Sequence, residues 1–224
     1  MATFNIDHSS IHTIIFDFDG TLAKLNIDFQ EMRNAIMSIV LSHGLSKDEI
    51  HTRFVLEMID SAFAILMERS EKQARRFLNE ANTIIENIEI EAAAQGELFA
   101  DTKRLLTYLQ SNEFSCGIIT RNCAKAVKIV FPEILSYCPI VICRDDVNHV
   151  KPHPEHIRLA LTRLGSSASD TLMIGDHPID IKTGHDAGTK TCGVLTGRCM
   201  EIDFIEAGAD IILPQAADLL RIIK

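Results

Sequence analysis

Apolar and polar positions alternate in blocks along this chain, and the period changes twice. Residues 12 to 17, with Ile14, Ile15 and Phe16 at their centre, read as a buried strand. From about Asp28 to Ala94 the apolar residues fall at helical spacing instead. In "DFQEMRNAIMSIVLSHG" they are Phe29, Met32, Ile36, Ile39 and Val40, and the segment stops at Gly44. "SKDEIHTRFVLEMIDSAFAILMERS" has Ser46 followed three residues later by Glu49, a capping-box pattern that predicts a second helix starting there. A third helix is expected over Glu71 to Ala94. Met58, Phe63 and Leu66 read as helix packing.

After Gly96 the rhythm becomes helix, strand, helix, strand. The expected strands are "FSCGIIT", "IVIC", "TLMIG", "TCGVLTG" and "ADIIL". Between them lie helices at Thr102 to Gln110, Ala124 to Val130, Pro154 to Leu164 and "PIDIKTGHDAG", then a weak helix and a terminal one. Such alternation implies crossover connections and a parallel sheet covered on both faces. The expected fold is α/β, a doubly wound parallel-sheet (Rossmann-like) core with an all-helical cap inserted after the first strand. Residues 1–22 and 96–224 would form the core and 23–95 the cap.

Composition narrows the function without naming it. The chain has 224 residues, 46% hydrophobic and 24% charged, and a net charge of −9. An acidic chain with no basic run is a poor match to nucleic acid or to an anionic membrane surface. No apolar run approaches bilayer-spanning length, and the N-terminal "MATFNIDHSS" lacks the pattern of a signal peptide. The six cysteines form no C-x-x-C pair and read as mostly buried thiols, so the expected location is cytoplasmic. "CRDDVNHVKPHPEH" contains Cys143, His149, His153 and His156, but their spacing fits no tight zinc-finger pattern. No glycine-rich nucleotide loop is present.

The chemistry gathers at predicted strand ends. The first strand runs into Asp17-Phe18-Asp19-Gly20-Thr21, and the strand "GIIT" into Thr120-Arg121-Asn122. Lys151 precedes the Pro154 helix, and "LMIG" ends in Asp176, with Asp180 four residues on. In an open parallel sheet these ends share one rim, where ligands bind. Converging carboxylates repel each other, and a hard divalent cation relieves this; oxygen-only ligands favour Mg²⁺. An ammonium beside such an ion suits a transferring phosphoryl group.

Together, "DFDGTL", "IITRN", "KPHPE" and "GDHPID", in this order, resemble the four signature segments of the haloacid dehalogenase-like hydrolases, in particular the phosphoglycolate phosphatase-like branch with a helical cap. The resemblance spans about His12 to Leu213. It implies Asp17 as nucleophile, forming an aspartyl-phosphate, and as a Mg²⁺ ligand. Asp19 would be the general acid and then base, with its backbone carbonyl on the metal. Thr120 and Lys151 would hold the phosphoryl group, while Asp176 and Asp180 would complete the metal site. The second aspartate, Asp19, fits phosphatases better than the carbon–halogen or phosphonate branches. Arg121 and Asn122 are candidates for phosphate contact or for capping the next helix, and Asn122 fits the cap better. Lys24 and Arg33, near the start of the cap, are candidates for a substrate's anionic tail, with Arg53, Arg69, Arg75 and Arg76 as alternatives. His177 stands where this branch often has a small hydroxyl residue. The expected activity is Mg²⁺-dependent hydrolysis of a small phosphorylated metabolite, with pyrophosphatase or nucleotidase activity, or a non-catalytic phosphate-sensing or partner-binding role, as the alternatives. No oligomeric state follows.

Overall fold

The structure, a computed structural model, describes residues 11–223, so the N-terminal segment read for a signal peptide lies outside the described residues. The chain divides into two compact units, one running to Leu25 and resuming at Gly96, the other Asn26–Gln95.

The first unit is built on six parallel strands: β1 (Thr13–Phe16), β4 (Ser115–Ile119), β5 (Ile140–Ile142), β6 (Thr171–Gly175), β7 (Lys190–Val194) and β8 (Ile211–Leu213), in the order β5-β4-β1-β6-β7-β8. After β1 the chain adds β4 and then β5 on one side, and β6, β7 and β8 on the other. β1 is therefore the point where the winding reverses, the position at which such sheets open a ligand crevice. The register puts Phe16 opposite Ile118 on β4 and Ile174 on β6, so the three central strands end nearly level. The interconnecting helices are α4 (Thr102–Ser111), α5 (Ala124–Val130), the short α6 (Ile134–Tyr137), α7 (Glu155–Leu164), α8 (Pro178–Ala187) and α9 (Glu201–Ala207).

Side chains two apart along a strand share a face. Ile15, Ile119, Ile142 and Met173 accordingly meet Ile157, Ala160 and Leu161 of α7 in one buried cluster. Ile14, Phe16 and Ile118 are also fully buried. Burial on both faces explains why these strands read as continuous apolar runs.

A two-residue ribbon, β2 (Ala23–Lys24) against β3 (Glu97–Leu98), is antiparallel and pairs Lys24 with Glu97. Nothing in the apolar pattern announced it. The C-terminal helix expected from sequence is a 3₁₀ segment over Ala216–Arg221. Among the described residues no helix is long and apolar enough to cross a membrane. Cys116, Cys123, Cys138, Cys143 and Cys192 are buried free thiols, and Cys199 is a half-buried one.

The second unit is three helices, α1 (Phe29–Ser42), α2 (Val55–Arg69) and α3 (Glu71–Ala94). Asp28 caps α1 by accepting from the N–H groups of Gln30 and Glu31, both at 2.9 Å. Met32, Ile36, Ile39 and Val40 are buried, as the spacing required, while Phe29 is exposed. Met58 and Leu66 are buried and Phe63 is half-buried. The second helix does not begin at Ser46. Glu49 does reach back to the Ser46 N–H, at 2.7 Å, but it closes a single 3₁₀ turn over Lys47–Glu49. Ile50 is then extended and α2 starts at Val55. His43 ties the far end of α1 to α3: its Nε2 lies 2.8 Å from Glu80, its ring meets Phe77 edge-on, and its carbonyl accepts from Gln73 at 2.6 Å.

Candidate active site

Three neighbouring strands deliver the first groups. Asp17 follows β1, Thr120 follows β4 and Asp176 follows β6, while Asp180 lies in the first turn of α8. Carboxylate oxygens of Asp17, Asp176 and Asp180 all lie within 4.8 Å of one another. Lys151 is buried among them, with Nζ donating to Asp17 Oδ1 at 2.5 Å and to Asp180 Oδ1 at 2.6 Å.

One ammonium does not neutralise three carboxylates, and burial shifts their pKa values accordingly. Burial pushes Asp176 up to about 9, assisted by Asp17, Asp180 and Asp19. Burial also raises Asp17 to about 6, with Asp180 adding to the rise and Lys151 opposing it. For Lys151, burial acts to lower the pKa, but the two carboxylates more than reverse this and hold it above the ordinary lysine range. The site is therefore short of positive charge. Its donors are hard oxygens, which fit a Mg²⁺-type ion and not a thiophilic one.

Small residues make the cluster possible. Gly20 turns the chain after Asp19 at φ +85°, and a Cβ there would run into the Asp176 carboxylate. A Cβ on Gly197 would strike the same side chain, and one on Gly175 would strike Asp180. Thr196 Oγ1 donates to Gly20 O at 2.5 Å, pinning the turn to the loop after β7.

Asp19 is half-buried, and its charge adds to the rise in the Asp176 pKa. Its Oδ1 accepts from the Leu25 N–H at 2.9 Å, which fixes it beside the turn that Gly20 makes. Thr120 is buried, and its Oγ1 accepts from the Asn122 N–H at 3.2 Å. Arg121 Nη1 donates to the carbonyl of Lys151 at 2.5 Å, so it braces the lysine segment. Asn122 is not the cap of the following helix. Cys123 occupies that position, and Asp145 Oδ2 accepts from the first helical N–H, that of Ala124, at 3.2 Å. Arg33 belongs to the helical unit, where its guanidinium donates to Gln30 Oε1 at 2.7 Å. Arg69, Arg75 and Arg76 are engaged in ion pairs with Glu49, Glu71 and Glu80.

Two histidines have roles the sequence did not disclose. His177 Nδ1 accepts from the Ile179 N–H at 3.1 Å, so the ring does at the α8 N-terminus what a hydroxyl residue usually does. Asp180 Oδ2 in turn accepts from the His177 N–H at 3.1 Å. His156 is wholly buried, with Nδ1 accepting from the Lys151 N–H at 3.2 Å and Nε2 facing Ile142 O at 3.1 Å. Burial, with Lys151 nearby, pushes its pKa down to about 3, so the ring is neutral and Nε2 is the donor. The one available signal was a polar ring in an otherwise apolar stripe with Ile157, Ala160 and Leu161.

Residues 14–194 match the profile of the haloacid dehalogenase-like hydrolases. The chain belongs to that family. Among its curated relatives, the pyrophosphatase PpaX of Bacillus pumilus is 30% identical over 97% of this chain and 99% of its own length. The N-acetylmuramic acid 6-phosphate phosphatase of Pseudomonas aeruginosa is 28% identical over 95% of each. A crystal structure titled as a haloacid dehalogenase-like hydrolase from Bacteroides fragilis superposes with a TM-score of 0.67 at 27% identity, covering 93% of this hydrolase and 99% of that chain. A hydrolase from Pseudomonas syringae shares the fold at a TM-score of 0.68 and 21% identity, covering 94% and 96%.

Proposed function

We propose that this hydrolase is a Mg²⁺-dependent phosphatase of small phosphorylated metabolites that works through an aspartyl-phosphate on Asp17. The observation that carries the reading is the placement of Lys151 Nζ between Asp17 and Asp180, with Asp176 beside them. A lone lysine leaves that cluster negative, and a phosphate ester brings more negative charge. Asp17, Asp176 and Asp180 would hold the cation together with the Asp19 carbonyl, and the cation would supply charge neutralisation to the phosphoryl group and to the nucleophile.

An Asp17 oxygen attacks phosphorus, and the ester P–O bond breaks with its electron pair going to the leaving oxygen. Asp19 gives that oxygen its proton. Asp19, now a carboxylate, takes a proton from water, whose oxygen attacks phosphorus and frees Asp17 and inorganic phosphate. Lys151 holds the nucleophile and the phosphoryl oxygens together, and the Thr120 hydroxyl donates to those oxygens. Arg121 and Asn122 support this rim. The sheet unit carries all these groups. The helical unit is assigned the choice of substrate, with Arg33 as a cation read through KM. A cytoplasmic setting goes with the same reading.

The test is hydrolysis of p-nitrophenyl phosphate by wild type and Asp17→Asn, with Mg²⁺ and with chelator. Turnover that needs the metal and disappears in the variant supports the proposal, and equal turnover in the variant overturns it. The 30% identity to a pyrophosphatase over nearly the whole chain favours pyrophosphate as a second substrate class, so it belongs beside phosphate monoesters in the panel.

A further inference from the structure

Outside the carboxylate cluster, the segment that carries Lys151 gathers three metal-ligating side chains at the protein surface. His149 and His153 lie two residues before and two residues after Lys151, and Glu155 opens α7. Ligand atoms of these three residues all lie within 4.8 Å of one another. His149 Nδ1 is 2.7 Å from Glu155 Oε2, and His153 Nδ1 is 3.9 Å from the same oxygen. The two rings are 4.6 Å apart between centroids and inclined at 36°. The other oxygen of Glu155 accepts from the Asn148 N–H at 3.3 Å, which holds the carboxylate in place. Pro152 and Pro154 flank His153 and restrict its backbone.

We propose that His149, His153 and Glu155 form a second cation site, selective for a borderline transition-metal ion of the Zn²⁺ type, whose occupancy ties the chain together across Lys151. Two imidazoles and a carboxylate are the donors such an ion prefers, in contrast to the all-oxygen cluster below. The zinc-finger spacing test missed this site because it grouped His149 and His153 with Cys143 and His156 and left out Glu155. Cys143 is buried, and His156 is committed to Lys151 N and Ile142 O. The geometry needs little rearrangement. Donors at zinc bond lengths of about 2.0–2.2 Å sit roughly 3.3–3.6 Å apart. His149 and His153 side chains are 64% and 51% exposed, so their rings are free to turn into place. His149 in its Nδ1–H form moves its proton to Nε2, and the Nδ1 lone pair then takes the metal with no net proton released. His153 exchanges the bond that its Nδ1 accepts from the Glu155 N–H for a metal bond.

The site is independent of the proposed phosphatase activity and is tested without it. Zn²⁺ is titrated calorimetrically into tag-free protein with excess Mg²⁺ present to fill the carboxylate cluster. One-to-one binding is expected, weakened in His149→Gln and His153→Gln by at least the roughly tenfold that loss of a mere supporting contact costs a metal site. Binding is expected to persist in Asp176→Asn. Amide exchange over residues 149–155 slows on adding Zn²⁺ in wild type and not in the variants. The site is overturned if wild type binds no Zn²⁺, if the histidine variants bind it as tightly as wild type, or if Asp176→Asn abolishes binding. Binding without slower exchange overturns the tether across Lys151. Both histidines are exposed, and unchanged thermal midpoints of the variants are the accompanying check on folding.

Discussion

The backbone N–H of Lys151 donates to Nδ1 of His156, 3.2 Å away, and the other ring nitrogen faces the carbonyl of Ile142 at the end of β5. The imidazole thus fastens the loop that presents Lys151 to the sheet that presents Asp17. His156→Leu keeps the volume roughly and deletes both bonds. It leaves the buried Lys151 N–H unmet, while Ile142 O keeps the bond it accepts from the Thr120 N–H at 3.0 Å, so a loss of about 1–3 kcal/mol is expected in urea unfolding.

The same ring makes a pH prediction. Its folded pKa, about 3, lies below the ordinary value of about 6.5. The unfolded chain therefore takes up a proton that the folded chain refuses, and stability falls as pH drops from about 6.5 toward 3. The loss is about 1.4 kcal/mol per pH unit over that window. In urea unfolding at pH 7.5 and 5, wild type should lose stability relative to His156→Leu. Parallel losses would show that His156 is not the titrating group.

Replacing Lys151 by Met removes the charge held between Asp17 and Asp180 while keeping most of the bulk. Removing one positioned donor to a reacting oxyanion costs about 10²–10³ in kcat. The same drop is expected here with a phosphate monoester at saturating Mg²⁺, measured by phosphate release. A change of less than about tenfold would contradict the role given to the ammonium.

With metal removed, the two raised carboxyls set an alkaline limit. Asp17 near 6 and Asp176 near 9 both lie above their unfolded value of 3.8, so the folded protein holds protons that the unfolded chain releases. Stability of the chelated protein should fall as pH rises from about 4 to about 9. Added Mg²⁺ should raise the thermal midpoint more at pH 8.5 than at pH 6, and Asp176→Asn should remove most of that difference. An equal gain at both pH values would argue against these groups as the cation's ligands.

Gly197 offers a steric probe that removes no side chain of the site. A methyl group there meets the Asp176 carboxylate and must displace it. Gly197→Ala is expected to raise the Mg²⁺ concentration for half-maximal activity at least about tenfold, by analogy with loss of a group that orients a ligand. A variant with unchanged Mg²⁺ dependence would mean that Asp176 can serve from another rotamer.

What was legible in the sequence was the part dictated by period and by strand ends. β6, α3 and α5 have the limits their apolar patterns gave, because burial on fixed faces leaves no other register. The convergence of Asp17, Asp176, Asp180 and Lys151 followed from the rule that a parallel sheet brings its carboxyl ends to one rim. Local signals did less well. The Ser46–Glu49 pair formed its reciprocal contact, yet it closed one turn, since Ile50 continues in extended conformation. The β2–β3 ribbon is too short to have a period. Beyond the apolar stripe beside His156, histidine itself gives no polarity signal that separates a buried brace from an exposed ring such as His149, because both choices depend on what the fold brings alongside.

The pairing of Lys24 with Glu97 means that the whole excursion of Asn26–Gln95 leaves and returns at adjacent points. The ends of that long segment are already joined by backbone bonds, so its length adds little to the entropy the sheet must overcome to close. A chain built this way can exchange, enlarge or shorten the segment without disturbing the register of its neighbours. The sheet and the helical segment are then free to change at separate rates, within one gene product.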